Sequence, residues 1–244
     1  MDIVNPDLSH ANFLDLSSSD INSAKALLQV KEYHNAVYHF QQSVEKSCKY
    51  LGLTVKAFSF KELREISHEP QKVFDKVFYS EVFTSVSDNQ DYEETKSLFK
   101  DVDLNKKCEI AYFYINKAFK SSSIDSRPYS DQIIEYFENN PFSDLYDADF
   151  VENIKKYRGN PQAEVACRQF LDILDDMQKC LLSQMLMSLL VSGVEANSRY
   201  PDKVGVTPKE IYSDESFIVH FLDYFIEKQL FCIEILGNYF KPSE

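Results

Sequence analysis

The chain has 244 residues, 44% hydrophobic and 27% charged, so it can bury a sizeable core and is not a disordered polypeptide. Five glycines and eight prolines are too few for a many-stranded barrel or sandwich, and long helices are favoured. A net charge of −13 and a pI near 4.9 repel phosphate backbones at long range, which excludes extended duplex-DNA binding.

The first twelve residues, MDIVNPDLSHAN, lack the basic and apolar regions of a signal peptide. A first helix is predicted in SSSDINSAKALLQVKEY, with Ser19 or Asp20 as N-cap and Ile21, Ala24 and Leu28 at helical spacing. After a break near residues 31–34, Val37, Phe40, Val44, Cys48 and Leu51 trace the apolar stripe of a second helix, with Gly52 as its stop. So short a break folds the two back as an antiparallel hairpin. Off that stripe lie Gln41, Gln42, Glu45, Lys46 and Lys49, which suit either a wet helix face or one turned to a ligand or partner. Residues 43–64 carry five basic groups, Lys46, Lys49, Lys56, Lys61 and Arg64, against Glu45 and Glu62, a basic neighbourhood in an acidic protein.

Ser67 is the expected cap of a third helix bearing Val73, Phe74, Val77, Phe78 and Val82, with Pro70 in its first turn. From about 85 to 163 the composition turns polar and acidic, with helical pieces near 106–120, 129–139 and 147–158 between turn signals. This region reads as an inserted set of short, surface-lying helices. Two long helices follow: residues 163–198, ended by Pro201, and residues 213–240, capped by Ser213. No convincing strand or repeat appears, so the expected fold is all-α. It is an antiparallel up-and-down bundle of four to five core helices forming a single domain over 1–244, with its core in 12–84 and 164–240.

Catalytic motifs are scarce. No phosphate-cradling glycine loop, nucleophile elbow or H-E-x-x-H pair is present, and no cofactor or metal is expected. Asp172, Asp175 and Asp176 lack a histidine partner on their helix. The scattered Cys48, Cys108, Cys167, Cys180 and Cys232 suit core positions in a reducing cytoplasm. The most apolar run, Cys180–Val194, is shorter than the roughly 20 residues of a membrane span. His68, near a helix start and four residues after Arg64, is either a structural histidine or a site residue. Arg199 in SRYPD suits either a helix-end cap or an anion contact.

SAKALLQVKEYHNAVYHFQQSVEKSCKYLGL, LREISHEPQKVF and SRYPD followed by an amphipathic helix occur in an order that resembles the HEPN family, named for higher eukaryotes and prokaryotes nucleotide-binding. The resemblance covers residues 12 to about 80 and 164 to 240. It implies a helical bundle that commonly dimerises and places polar residues in a shared cleft. It also implies a role as an RNase, as the partner of a small nucleotidyltransferase, or as a binding module without catalysis. The family's RNases use an Arg followed, after four to six residues, by His. Here Arg64 and His68 have only three residues between them, and the other arginines have no His within the next seven. The expectation is therefore a non-catalytic homodimer in a toxin–antitoxin or defence setting. Gln41, Glu45, Lys46, Lys49, His68 and Arg199 would bind nucleotide, RNA or a nucleotidyltransferase. Arg64, His68 and Arg199 would instead form the site of a degenerate metal-independent RNase. A third expectation is an interaction scaffold that uses the acidic insertion.

Overall fold

In the computed structural model, residues 10–63, 66, 68–80, 89–120, 127–139, 148–194 and 205–240 are described. They form α1 (His10–Gln29), α2 (Tyr33–Thr54), α3 (Phe60–Leu63), α4 (Pro70–Phe78), α5 (Asn89–Leu98) and α6 (Leu104–Lys120). There follow α7 (Tyr129–Asn139), α8 (Ala148–Lys156), α9 (Pro161–Leu190), α10 (Pro208–Ile211) and α11 (Phe217–Tyr239). No strand occurs among the described residues, and the fold is the all-α bundle expected.

The α1–α2 hairpin closes through Lys31, whose φ of 61° places it in the left-handed region. Lys31 N donates to Leu28 O at 3.1 Å and Glu32 N to Leu27 O at 2.9 Å, the paired bonds of a Schellman C-cap. The end of α2 repeats the device at Lys56, φ 58°, with Lys56 N to Leu53 O at 3.2 Å and Ala57 N to Gly52 O at 2.8 Å. Gly52, expected as the stop, instead lies inside the helix. A Cβ there would sit 2.3 Å from the Phe58 ring, so its role is to admit that ring.

The predicted stripe of α2 is the centre of the core: Val37, Phe40, Val44, Cys48 and Leu51 are all fully buried. Burying such side chains contributes about 1.5–3 kcal/mol each for the larger aliphatic and aromatic ones. They pack with Ile21 and Ala24 of α1, Val73 and Val77 of α4, Leu186 and Leu190 of α9, and Leu222 and Phe225 of α11.

Several expectations are corrected. α1 begins nine residues or more before Ser19 and Asp20, which are interior positions and cap nothing. Ser67 and Val82 lie outside the described residues; α4 runs from Pro70 to Phe78, with Glu69 in the N-cap position. α9 ends at Leu190 rather than 198, where Gly193, φ 81°, turns the chain away. Pro201 lies outside the described residues. The N-cap position of α11 is Ser216 rather than Ser213; Ser216 Oγ donates to Ile211 O and accepts from Ser213 N at 3.0 Å.

The region expected to lie on the surface is divided. α6 packs on α9 and α11, and its Cys108, Ala111 and Ile115 belong to the main core. α5, which helical spacing alone did not reveal, adds Tyr92; its ring stacks on Phe78 at 4.0 Å, and its hydroxyl donates to Asp75. Beyond α6, a separate small cluster of Ile133, Phe137 and Cys167 joins α7 to the first half of α9, with Val151 and Ile154 of α8 packed against it.

Candidate functional site

Side chains four residues apart stack on one helix face. Gln41, Glu45 and Lys49 therefore form a column along α2, and they are only 1%, 2% and 8% exposed. The column faces the short segment leading into α4. Glu45 Oε1 accepts from Lys49 Nζ and meets His68 Nδ1 at 3.1 Å. Gln42 Nε2 donates to Gln41 Oε1 at 2.8 Å and reaches Glu45 Oε2 at 3.5 Å. Gln41 Nε2 donates to the His68 carbonyl at 3.4 Å. An ionised carboxylate only accepts, so Nδ1 of His68 carries a hydrogen and Nε2 is left for an outside partner. The His68 side chain is 76% exposed, a ring anchored at one end and open to solvent along the rest.

Lys46 follows Glu45 by one residue, about 100° around the helix, and points elsewhere. Its Nζ donates to Asp20 Oδ2 on α1, and Asp20 Oδ1 meets His39 Nδ1 at 2.9 Å. The expected ligand group therefore divides. Gln41, Glu45, Lys49 and His68 come together, while Lys46 is committed to α1. Arg64 and Arg199 lie outside the described residues.

A second polar group went unforeseen. Gln184 of α9 donates through Nε2 to Gln229 Oε1 of α11 at 2.9 Å, and its own Oε1 accepts from Ser47 Oγ at 2.8 Å. Gln229 Nε2 lies 2.9 Å from Ser47 Oγ and 3.2 Å from Ser43 Oγ, and Ser43 in turn bonds Ser17 of α1. All five residues are at most 1% exposed. The sequence signal was the Ser-Gln interruption of the apolar run at Ser183 and Gln184. These groups satisfy one another and fix how α1, α2, α9 and α11 register; they do not reach solvent.

A cleft of about 760 Å³ opens beside the His68 segment, lined by Glu62, Ile66, Lys72, Asp75, Lys76 and Tyr79 among others. Its charges are largely answered: Lys72 pairs with Glu69 at 2.9 Å, and Asp75 holds Lys96 at 3.1 Å. Among the described residues no three His, Cys, Asp or Glu side chains gather as metal ligands, and no helix is long and apolar enough to cross a membrane.

No curated protein and no solved structure matches the chain. The model of the HEPN domain matches residues 12–102, a span running from α1 through the end of α5 and containing Gln41, Glu45, Lys49 and His68. The match continues past residue 85, where the insertion was expected to begin. It ties the chain, in general terms, to nucleotide- and RNA-related function. The hairpin of α1 and α2, with the polar column it carries toward α4, lies within the span that is similar to the HEPN domain.

Proposed function

We propose that the protein is a non-catalytic HEPN-type binding module, a cytoplasmic homodimer that takes nucleotide or RNA at the His68 edge of the α2 column. A nucleotidyltransferase partner in a prokaryotic toxin–antitoxin or defence system belongs to the same reading. The observation that carries it is the exposed His68 ring pinned by the buried Glu45. Glu45 also occupies Lys49, and Asp20 occupies Lys46, so the face offers directed hydrogen bonds rather than a strong cationic field. Such a face suits polar base and ribose groups better than bare phosphate.

Calorimetric titration with nucleotides and short single-stranded RNA tests the reading. Binding to the native protein, lost in His68→Ala, is the expected result; no binding by any of them overturns it. Sedimentation equilibrium checks the dimer.

The same contact favours a second reading. A histidine oriented by a carboxylate with its other nitrogen open is equipped to accept a proton from an RNA 2′-hydroxyl. Against it stand the three residues between Arg64 and His68, short of the RNase spacing. Labelled RNA incubated with and without EDTA separates the two readings, and cleavage abolished by His68→Ala establishes the enzyme.

A further inference from the structure

On the side of α4 reached by α5, α6 and α9 lies a second cleft, of about 480 Å³. Gln71 of α4, Lys96 and Lys100 of the α5 end, Lys107 of α6 and Glu93 line it, over an apolar floor of Phe99 and Leu189. The turn between α5 and α6 runs through Asp101, φ 57°, and this tight reversal presents Lys100 and Lys107 to one space.

The three lysines differ in their commitments. Lys96 is held by Asp75, at 3.1 Å to each oxygen, and lies 3.9 Å from Glu93. Lys100 and Lys107 have no acidic partner among the described residues. The nearby Asp103 is occupied in accepting the backbone N–H of Lys106 at 2.8 Å, and it does not line the cleft. Lys107 is half-buried, and that burial pushes its ammonium below the ordinary lysine value. Two cations without counterions beside an apolar floor are unusual in a chain of net charge −13, where carboxylates outnumber basic groups. The volume falls within the range of small-ligand sites, about 300–1,000 Å³.

We infer that this cleft binds a small organic phosphate, with the phosphate between Lys100 and Lys107 and the apolar body of the ligand on Phe99 and Leu189. Gln71 supplies a neutral donor to the same space. The inference stands apart from the His68 edge and does not depend on it.

Phenyl phosphate, inorganic phosphate and phenol serve as probes, titrated calorimetrically into the whole protein and into Lys100→Gln/Lys107→Gln. Both lysines are at least partly exposed, so the double variant retains the fold, which circular dichroism checks. Phenyl phosphate is expected to bind the native protein about tenfold or more tighter than the double variant, since two charge-assisted contacts are lost. Lys25→Gln, which removes an exposed charge on α1, leaves that affinity unchanged. Inorganic phosphate binds more weakly than phenyl phosphate, and phenol binds not at all. Equal affinity of phenyl phosphate for the native and doubly substituted proteins, or no binding to the native one, overturns the site. Inorganic phosphate binding as tightly as phenyl phosphate overturns the assignment to an organic phosphate.

Discussion

Glu45 and His68 meet at 3.1 Å across the boundary between interior and solvent, one 2% exposed and the other on the surface. Because Glu45 also accepts from the buried Lys49, removing either member of that pair strands a charge. Lys49→Met is expected to lower stability by about 3–5 kcal/mol. Glu45→Gln/Lys49→Met, which removes both charges, recovers most of that loss. Urea unfolding of the single and double variants measures the coupling, and equal losses in the single and double variants would contradict it.

The amide pair of Gln184 and Gln229 has a parallel consequence at the bundle centre. Gln229→Leu leaves the Gln184 amide and the hydroxyls around it short of a partner, at a cost of about 1–3 kcal/mol for each group left unsatisfied. Amide exchange in α2 and α11 should quicken together, since both helices meet there. A variant in which only α11 quickens would mean that the network does not bind the helices as a unit.

Glycine substitutions should act with opposite signs at two kinds of site. Lys31 and Lys56 hold left-handed backbone at φ 61° and 58°, strained for a residue with a Cβ. Lys31→Gly and Lys56→Gly are each expected to stabilise by up to about 1 kcal/mol. Gly52→Ala drives a methyl into the buried Phe58 ring and should destabilise by about 1–3 kcal/mol. Thermal melts of the three variants test both directions, and Gly52→Ala/Phe58→Leu should regain part of the loss.

Two carboxylates give opposite pH responses. Hydrogen bonds from Ser130 hold Glu164 below its ordinary value of 4.5, so its contribution is present above that value and is lost as pH falls through the lower, folded one. Glu164→Gln should therefore speed amide exchange in α7 at neutral pH and match the native protein in acid. Burial raises Asp176 above its ordinary 3.8; Lys179 pulls the other way, and repulsion from Asp175, Asp172 and Glu234 adds to the rise. The charged form is disfavoured in the fold, so stability is lost as pH rises through the raised value. Asp176→Asn should raise the melting temperature at pH 7 and leave it unchanged near pH 3.

Helical spacing made the apolar stripe of α2 legible because Val37, Phe40 and Val44 bury by their own chemistry. The burial of Gln41, Glu45 and Lys49 could not be read the same way. A polar side chain is buried only when a partner waits for it, and those partners are a segment 23 to 27 residues on and one another. Ser47 depends on Gln184, 137 positions away. Helix ends failed for a related reason. Ser19 and Asp20 look like caps in isolation, yet Asp20 takes Lys46 and the helix runs through both. The helices at 104–120, 129–139 and 148–156 followed their turn signals closely, but nothing in their composition told that Ile115 is core and Phe113 exposed.

α9 spans 30 residues, about 45 Å of unbroken helix, and both hydrophobic clusters are strung along it. Cys167 sits in the outer cluster and Gln184 in the inner polar junction, 17 residues or about 25 Å apart on one rod. One unbroken helix is thus the shared element of the outer cluster and of the junction where four helices exchange hydrogen bonds.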